Sequence, residues 1–173
     1  MFGSRALLTV ICLSLALAAL PLRAETAGEY ELKAALIYKF SQFTEWPAFP
    51  ATEFAVCVLG QDPFRDAING LNGKLLRGAK VTVKRIAGPD EAKGCQAMFV
   101  NPANLGQLRL WMASLRGLPI LTVSDAPDAW QEGVMIVLNN EPNRIAFSIN
   151  VSQARRVGMD FPAQMLNLAR EVR

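Results

Sequence analysis

The segment Phe54-Ala55-Val56-Cys57-Val58-Leu59-Gly60-Gln61-Asp62-Pro63 decides the fold class. Six apolar residues in succession lack the alternation of a half-exposed strand, and they predict a strand over 54–59 buried on both faces. Strands of that kind belong to parallel sheets covered on two sides. The exit reads as a strand-to-helix turn. Gly60 permits a tight backbone, Asp62 can cap a helix, and Pro63 suits the first helical position, so a short helix to about Leu71 is predicted.

The same grammar extends in both directions. Upstream, Glu29 to Phe43 carries Leu32, Ala35, Leu36, Phe40 and Phe43 at helical spacing, with Lys39 as the polar intruder on the stripe. Trp46-Pro47 ends that helix, because the residue before a proline is pushed out of helical geometry. Downstream, Asn72-Gly73 and Arg77-Gly78 mark turns before an alternating strand over 80–86, and Pro89 to Lys93 suits one helical turn. Strands over 97–100 and 119–123 enclose a helix over 105–115 whose face is Leu108, Trp111, Met112 and Leu115. A helical piece follows near 128–131. Strands over 134–138 and 144–149 form a hairpin across Asn139-Asn140-Glu141-Pro142-Asn143. Helices over 151–157 and after Pro162 close the chain, with Met165, Leu166 and Leu168 as candidate buried positions. Helices alternating with doubly apolar strands predict a three-layer α/β/α sandwich with a mainly parallel sheet and a C-terminal antiparallel hairpin.

Residues 1–24 read as an export signal, leaving one domain over 25–173. Arg5 is followed by fifteen uncharged residues, Ala6 to Leu20, and Pro21-Leu22-Arg23-Ala24 offers a small-residue exit. Fifteen residues span about 22 Å as a helix, short of the roughly 30 Å hydrocarbon core, so cleavage is expected rather than a retained anchor. Thr9-Val10-Ile11 before Cys12 lacks the small residues of a lipidation site. The expected location is the periplasm.

Cleavage removes Arg5 and Arg23, which takes the basic residues from 18 to 16 against 15 acidic ones and the net charge to +1. No basic run remains to track a phosphate backbone, so nucleic acid is not an expected partner. The chain has no histidine. That removes the commonest general base, the commonest metal ligand and every Ser-His or Cys-His nucleophile. No catalytic residue, cofactor or metal is expected, although Asp or Lys chemistry stays formally open. The two cysteines left after cleavage, Cys57 and Cys95, suggest a disulfide in an oxidising compartment; two buried thiols are the alternative.

Ligands of such sheets favour the crevice beyond the carboxyl ends of the strands. Two strand exits carry suitable loops, Gly60-Gln61-Asp62-Pro63 and Ser124-Asp125-Ala126-Pro127. Gly60, Asp62, Ser124 and Asp125 could line a crevice there, or the aspartates could simply cap helices. A magnesium or phosphotransfer pocket would need further acids or a lysine that neither segment supplies.

Across the whole mature chain the sequence resembles the YfiR-like family of periplasmic regulators. The resemblance rests on Lys33-Ala34-Ala35-Leu36-Ile37-Tyr38-Lys39-Phe40 with Phe43-Thr44-Glu45-Trp46-Pro47, and on 54–60 before Asp62-Pro63-Phe64. It continues through Gly94-Cys95, residues 121–125, 144–150 and Ala154-Arg155-Arg156-Val157-Gly158. It implies an α/β/α sandwich without catalytic activity. It further implies a repressor that binds the periplasmic part of an inner-membrane diguanylate cyclase, with an outer-membrane partner relieving repression and so controlling cyclic di-GMP and biofilm formation. The family places its cysteines where Cys57 and Cys95 stand, and this chain lacks the second pair some relatives carry near the last hairpin. A small-ligand sensor, or an accessory to another membrane signalling protein, is the alternative. Tyr38, Trp46, Trp111, Trp130 and Phe161 are the aromatic candidates for an interface, Trp46 and Trp130 foremost because they sit in loops beside prolines. Arg155 and Arg156 are candidates for an acidic partner, and the apolar content of 51% leaves room for a homodimer.

Overall fold

The computed structural model describes residues 22–173, with side chains from residue 28 onward. The expected leader therefore lies outside the described residues, apart from Leu22-Arg23-Ala24. Those three form the start of α1 (Leu22–Phe43). No helix among the described residues is long and apolar enough to cross a membrane.

Among the described residues eight strands build one sheet: β1 (Glu53–Gly60), β2 (Leu75–Leu76), β3 (Ala79–Ile86), β4 (Ala97–Asn101), β5 (Leu121–Ser124), β6 (Ile136–Glu141), β7 (Arg144–Ile149) and β8 (Glu171–Val172). Their spatial order is β2-β3-β1-β4-β5-β6-β7-β8. β3, β1, β4, β5 and β6 run parallel to one another, and β8 runs parallel to β7. The β2–β3 and β6–β7 pairs are antiparallel. The fold is mixed α/β around a mostly parallel sheet, and the expected hairpin is present.

β1 is an interior strand, third of eight counted from β2. Phe54, Val56 and Val58 join one apolar cluster and Ala55, Cys57 and Leu59 another, so successive residues feed opposite faces. α1, α3 (Val151–Arg155) and α4 (Ala163–Leu166) contribute to the first cluster. α2 (Leu105–Ser114) and the short turn Pro89–Ala92 contribute to the second. Cys57 and Cys95 are bonded in that second cluster, Cα atoms 5.9 Å apart, tying β1 to the segment entering β4.

Several local expectations are corrected. The buried stripe of α1 is Lys33, Ala34, Ile37, Phe40 and Ser41, continued by Thr44 just past its end, whereas Leu32 and Phe43 are 46% and 44% exposed and Lys39 is exposed. Three polar residues occupy that stripe because each finds a partner. The Ser41 and Thr44 hydroxyls donate to the carbonyls of Ile37 and Phe40. Arg77 donates to the carbonyls of Gln42 and Thr44, serving carbonyls left over where α1 ends.

After β1 no helix begins at Pro63. Asp62 Oδ1 accepts from the Phe64 amide, Phe64 turns its ring between Tyr30 and Phe99, Arg65 takes φ +53°, and a 3-10 turn forms only at Ala67–Leu71. The piece at 128–131 is a turn rather than a helix, with Asp128 at φ +61°. The hairpin loop shrinks to Pro142-Asn143, because Asn139 to Glu141 extend β6 and Glu141 pairs with Arg144. Two edge strands were not expected. β2 is turned into β3 by Arg77 and Gly78, both at positive φ. β8 forms beyond the last helix, which stops at Leu166, and Leu168, a candidate buried position, is 76% exposed.

Candidate functional site

The expected crevice divides. Beyond β1 the space is filled: the position a Cβ would take on Gly60, at φ +94°, lies against the Asn101 carbonyl and 2.9 Å from Cη2 of Trp111. Asn101 also donates to the Gln61 carbonyl at 2.8 Å. Asp62 is spent on the Phe64 amide and on Arg85, whose Nε donates to Oδ2 at 2.6 Å. Gly60 and Asp62 thus shape a turn, while the open space lies further along the same edge.

Past the carboxyl end of β5 and alongside β6 there is a cleft of about 540 Å³. Its walls include Asp125, Trp130, Gln131, Asn139, Asn140, Ser148 and Arg170, so Asp125 and Trp130 come together there. Ser124 sits beneath, buried, donating from Oγ to the Val100 carbonyl at 2.7 Å and accepting from the Ala126 amide. That bond pair fixes the turn that aims Asp125. Trp130 is half-buried against the second apolar cluster.

Behind the cleft stands an ion cluster that spacing alone did not single out. The Lys33 side chain is 1% exposed; its ammonium pairs with Glu29 at 2.5 Å and with Asp125. It also lies 4.7 Å from the Tyr30 ring centroid. Burial alone would lower the Lys33 pKa, but the bonds to Asp125 and Glu29 hold it above its ordinary value. The bond from Lys33 keeps the Glu29 carboxyl below its ordinary value, despite partial burial, and Asn140 adds a 2.7 Å bond to the same carboxylate. Burial, then Asp125, push the Tyr30 hydroxyl up. The Glu29–Lys33 half of this cluster is legible as an i,i+4 pair; the Asp125 half joins residues 92 positions apart and is not. Held protonated and buried, Lys33 is an electrostatic anchor rather than a free amine. The cleft offers amides, carboxylates, a guanidinium and an indole face, which suits binding of a small polar ligand.

The remaining candidates lie elsewhere. Trp111 and Phe161 are core residues. Tyr38 is half-buried and donates to the Leu75 carbonyl at 2.8 Å. Trp46 is half-buried at the opposite, amino edge of the parallel strands, donating to the Ser41 carbonyl and meeting Phe54 edge-on at 5.3 Å. Arg155 pairs with Asp160 at 3.0 Å, while Arg156 lies beside a groove at that same edge.

The sequence profile of a family described as YfiR/HmsC-like matches residues 30–170. Among solved structures, one from Vibrio cholerae O1 biovar eltor, titled a conserved domain protein, is similar in fold at a TM-score of 0.54 and 10% identity. The alignment covers 83% of this chain and 60% of that one. Such a likeness speaks for the fold alone.

Proposed function

The chain belongs to the YfiR/HmsC-like family, and from that premise we propose that it is a non-enzymatic periplasmic regulator. In this reading it binds the periplasmic part of an inner-membrane diguanylate cyclase and holds it inactive, and an outer-membrane partner releases it. The family match across residues 30–170 carries the reading. Compatible features are a disulfide suited to an oxidising compartment and a chain without histidine.

The physical requirement is modest. A repressor shifts its client only by preferring one of its states, and moving a population from 99:1 to 1:99 takes about 5.5 kcal/mol of preference. An interface of ordinary size supplies that without a cofactor. The test is co-expression with a diguanylate cyclase that has a periplasmic region, measuring cyclic di-GMP. A severalfold drop that depends on this chain is the expected result; identical levels with and without it would sink the proposal.

The cleft beside Asp125 favours a second, compatible reading as a ligand sensor. Its volume of about 540 Å³ lies in the roughly 300–1,000 Å³ range of small-molecule sites. A metabolite that raises the melting temperature of the protein alone, and does not do so for Trp130→Ala with Asn139→Ala, would support it. A broad screen without any stabilisation would remove it.

A further inference from the structure

The amino edge of the parallel strands, opposite the cleft, carries two adjoining hollows. One, of about 430 Å³, is walled by Trp46, Phe49, Pro50 and Pro119, just before β1 and β5. The other, of about 180 Å³, runs between the end of α2 and α3 over Leu115 and Met135. Leu118 and Ile120 belong to both, so the two form one continuous surface. Leu118, on the shared wall, is 40% exposed although it is apolar.

Charge separates this surface from the rest of the molecule. Its rim holds Lys93, Arg109, Arg116 and Arg156 against a single carboxylate, Glu132, which is already paired with Arg109 at 2.7 Å. Among the described residues Lys93, Arg116 and Arg156 make no ion pair. The chain after the expected cleavage carries a net charge of only +1, so a surplus of three cations here is a local concentration. The cleft at the other edge has the opposite balance, with Asp125, Asp128 and Glu171 against Arg170.

We propose that the amino-edge surface is a docking site for an acidic segment of a partner protein, with an apolar side chain seated against Trp46, Phe49 and Leu118 and carboxylates meeting Arg116 and Arg156. An apolar centre with a charged rim is the arrangement in which the anchor supplies affinity and the rim supplies orientation and choice of partner. Arginine is the suited cation, because its planar fork binds a carboxylate bidentately. The surface is concave, which fits a protein segment better than a flat lipid bilayer. The inference deepens the reading of the chain as a contact regulator and rests on it for the partner's identity.

The experiment uses the 15N-labelled protein and the probe peptide acetyl-Asp-Leu-Phe-Asp-Glu-amide. The amide signals of Gly117, Leu118 and Gln153 are expected to shift. The affinity is expected to fall about tenfold or more for the Asn/Gln version of the peptide and for R116E/R156E, and less for R116K/R156K. No shifts at millimolar peptide, equal binding of the neutral peptide, shifts centred on Asp125 to Gln131, or preferential binding to phosphatidylglycerol vesicles would each overturn the proposal. A cyclase arm separates the two claims. If the unmodified chain lowers cyclic di-GMP and R116E/R156E lowers it equally, this docking surface is wrong while the regulator reading stands. If the peptide binds as expected and the unmodified chain leaves cyclic di-GMP unchanged, the surface stands and the cyclase reading fails.

Discussion

Lys33 shows how a single buried charge can organise a site. Its ammonium is tolerated in the interior because two carboxylates surround it, and removing it would leave both short of a counter-ion. Lys33→Met is expected to cost about 2–4 kcal/mol, below the largest costs of breaking buried pairs because Glu29 and Asp125 keep some solvent contact. Adding Glu29→Gln and Asp125→Asn should recover most of that loss, as urea unfolding would show. The cluster also fixes a pH dependence. Glu29 has a folded pKa below its ordinary 4.5, so its contribution is present above that value and is lost as pH falls through the lower folded value. Lys33 has a folded pKa above its ordinary 10.5, so its contribution is present below 10.5 and fades as pH rises through the higher folded value. The stability gap between the unmodified chain and Glu29→Gln should therefore be flat from pH 6 to 9 and shrink towards pH 3. A gap unchanged at pH 3 would contradict this account. Gly60 is the other decisive residue. Gly60→Ala must place a Cβ at φ +94° against the Asn101 carbonyl and the Trp111 ring, and a loss of at least about 2 kcal/mol in urea is expected.

For a whole element the informative case is α1, because its hydrophobic pattern points the wrong way. Leu32 and Phe43 fit an apolar stripe by spacing, yet the buried line runs through Lys33, Ile37, Ser41 and Thr44. Hydropathy cannot see that Ser41 and Thr44 satisfy their hydroxyls on carbonyls of the helix, or that Lys33 is neutralised by Asp125 far along the chain. The phase of the helix is testable by a pair of substitutions. Ile37→Ala should cost about 2–5 kcal/mol and Leu32→Ala within about 0.5 kcal/mol, read from chemical denaturation midpoints. Comparable costs at both positions would reject the orientation. The two-residue strands β2 and β8 escape a sequence reading for a related reason. Each is too short to show a period, and each exists only because β3 or β7 presents unpaired backbone groups beside it.

At the scale of the molecule, the disulfide and the polarity of the two sheet edges govern behaviour. Cys57–Cys95 closes a loop of 38 residues, for which loop entropy gives about 4 kcal/mol. The double variant Cys57→Ser with Cys95→Ser should lose a large part of that in thermal unfolding, and reductant should have no effect on it. If the double variant melted like the unmodified protein, the bond would be structurally idle. An acidic cleft at the carboxyl edge and a basic, apolar surface at the amino edge give the fold two chemically distinct ends. Much of the architecture could be read directly. The doubly apolar run over 54–59, the turn residues and the strand–helix alternation fix a mostly parallel sheet, because burial on both faces demands unbroken apolar strands wherever they pair. Counting residues excluded histidine chemistry and, with the expected leader removed, left one cysteine pair. The sites could not be read in the same way. Which strand exit stays open depended on a tryptophan from α2 filling one of them, and the basic edge gathers Lys93, Arg109, Arg116 and Arg156 from segments up to 63 positions apart. Local pattern records what each segment must bury, whereas a crevice or a charged face is made by residues that only folding brings side by side.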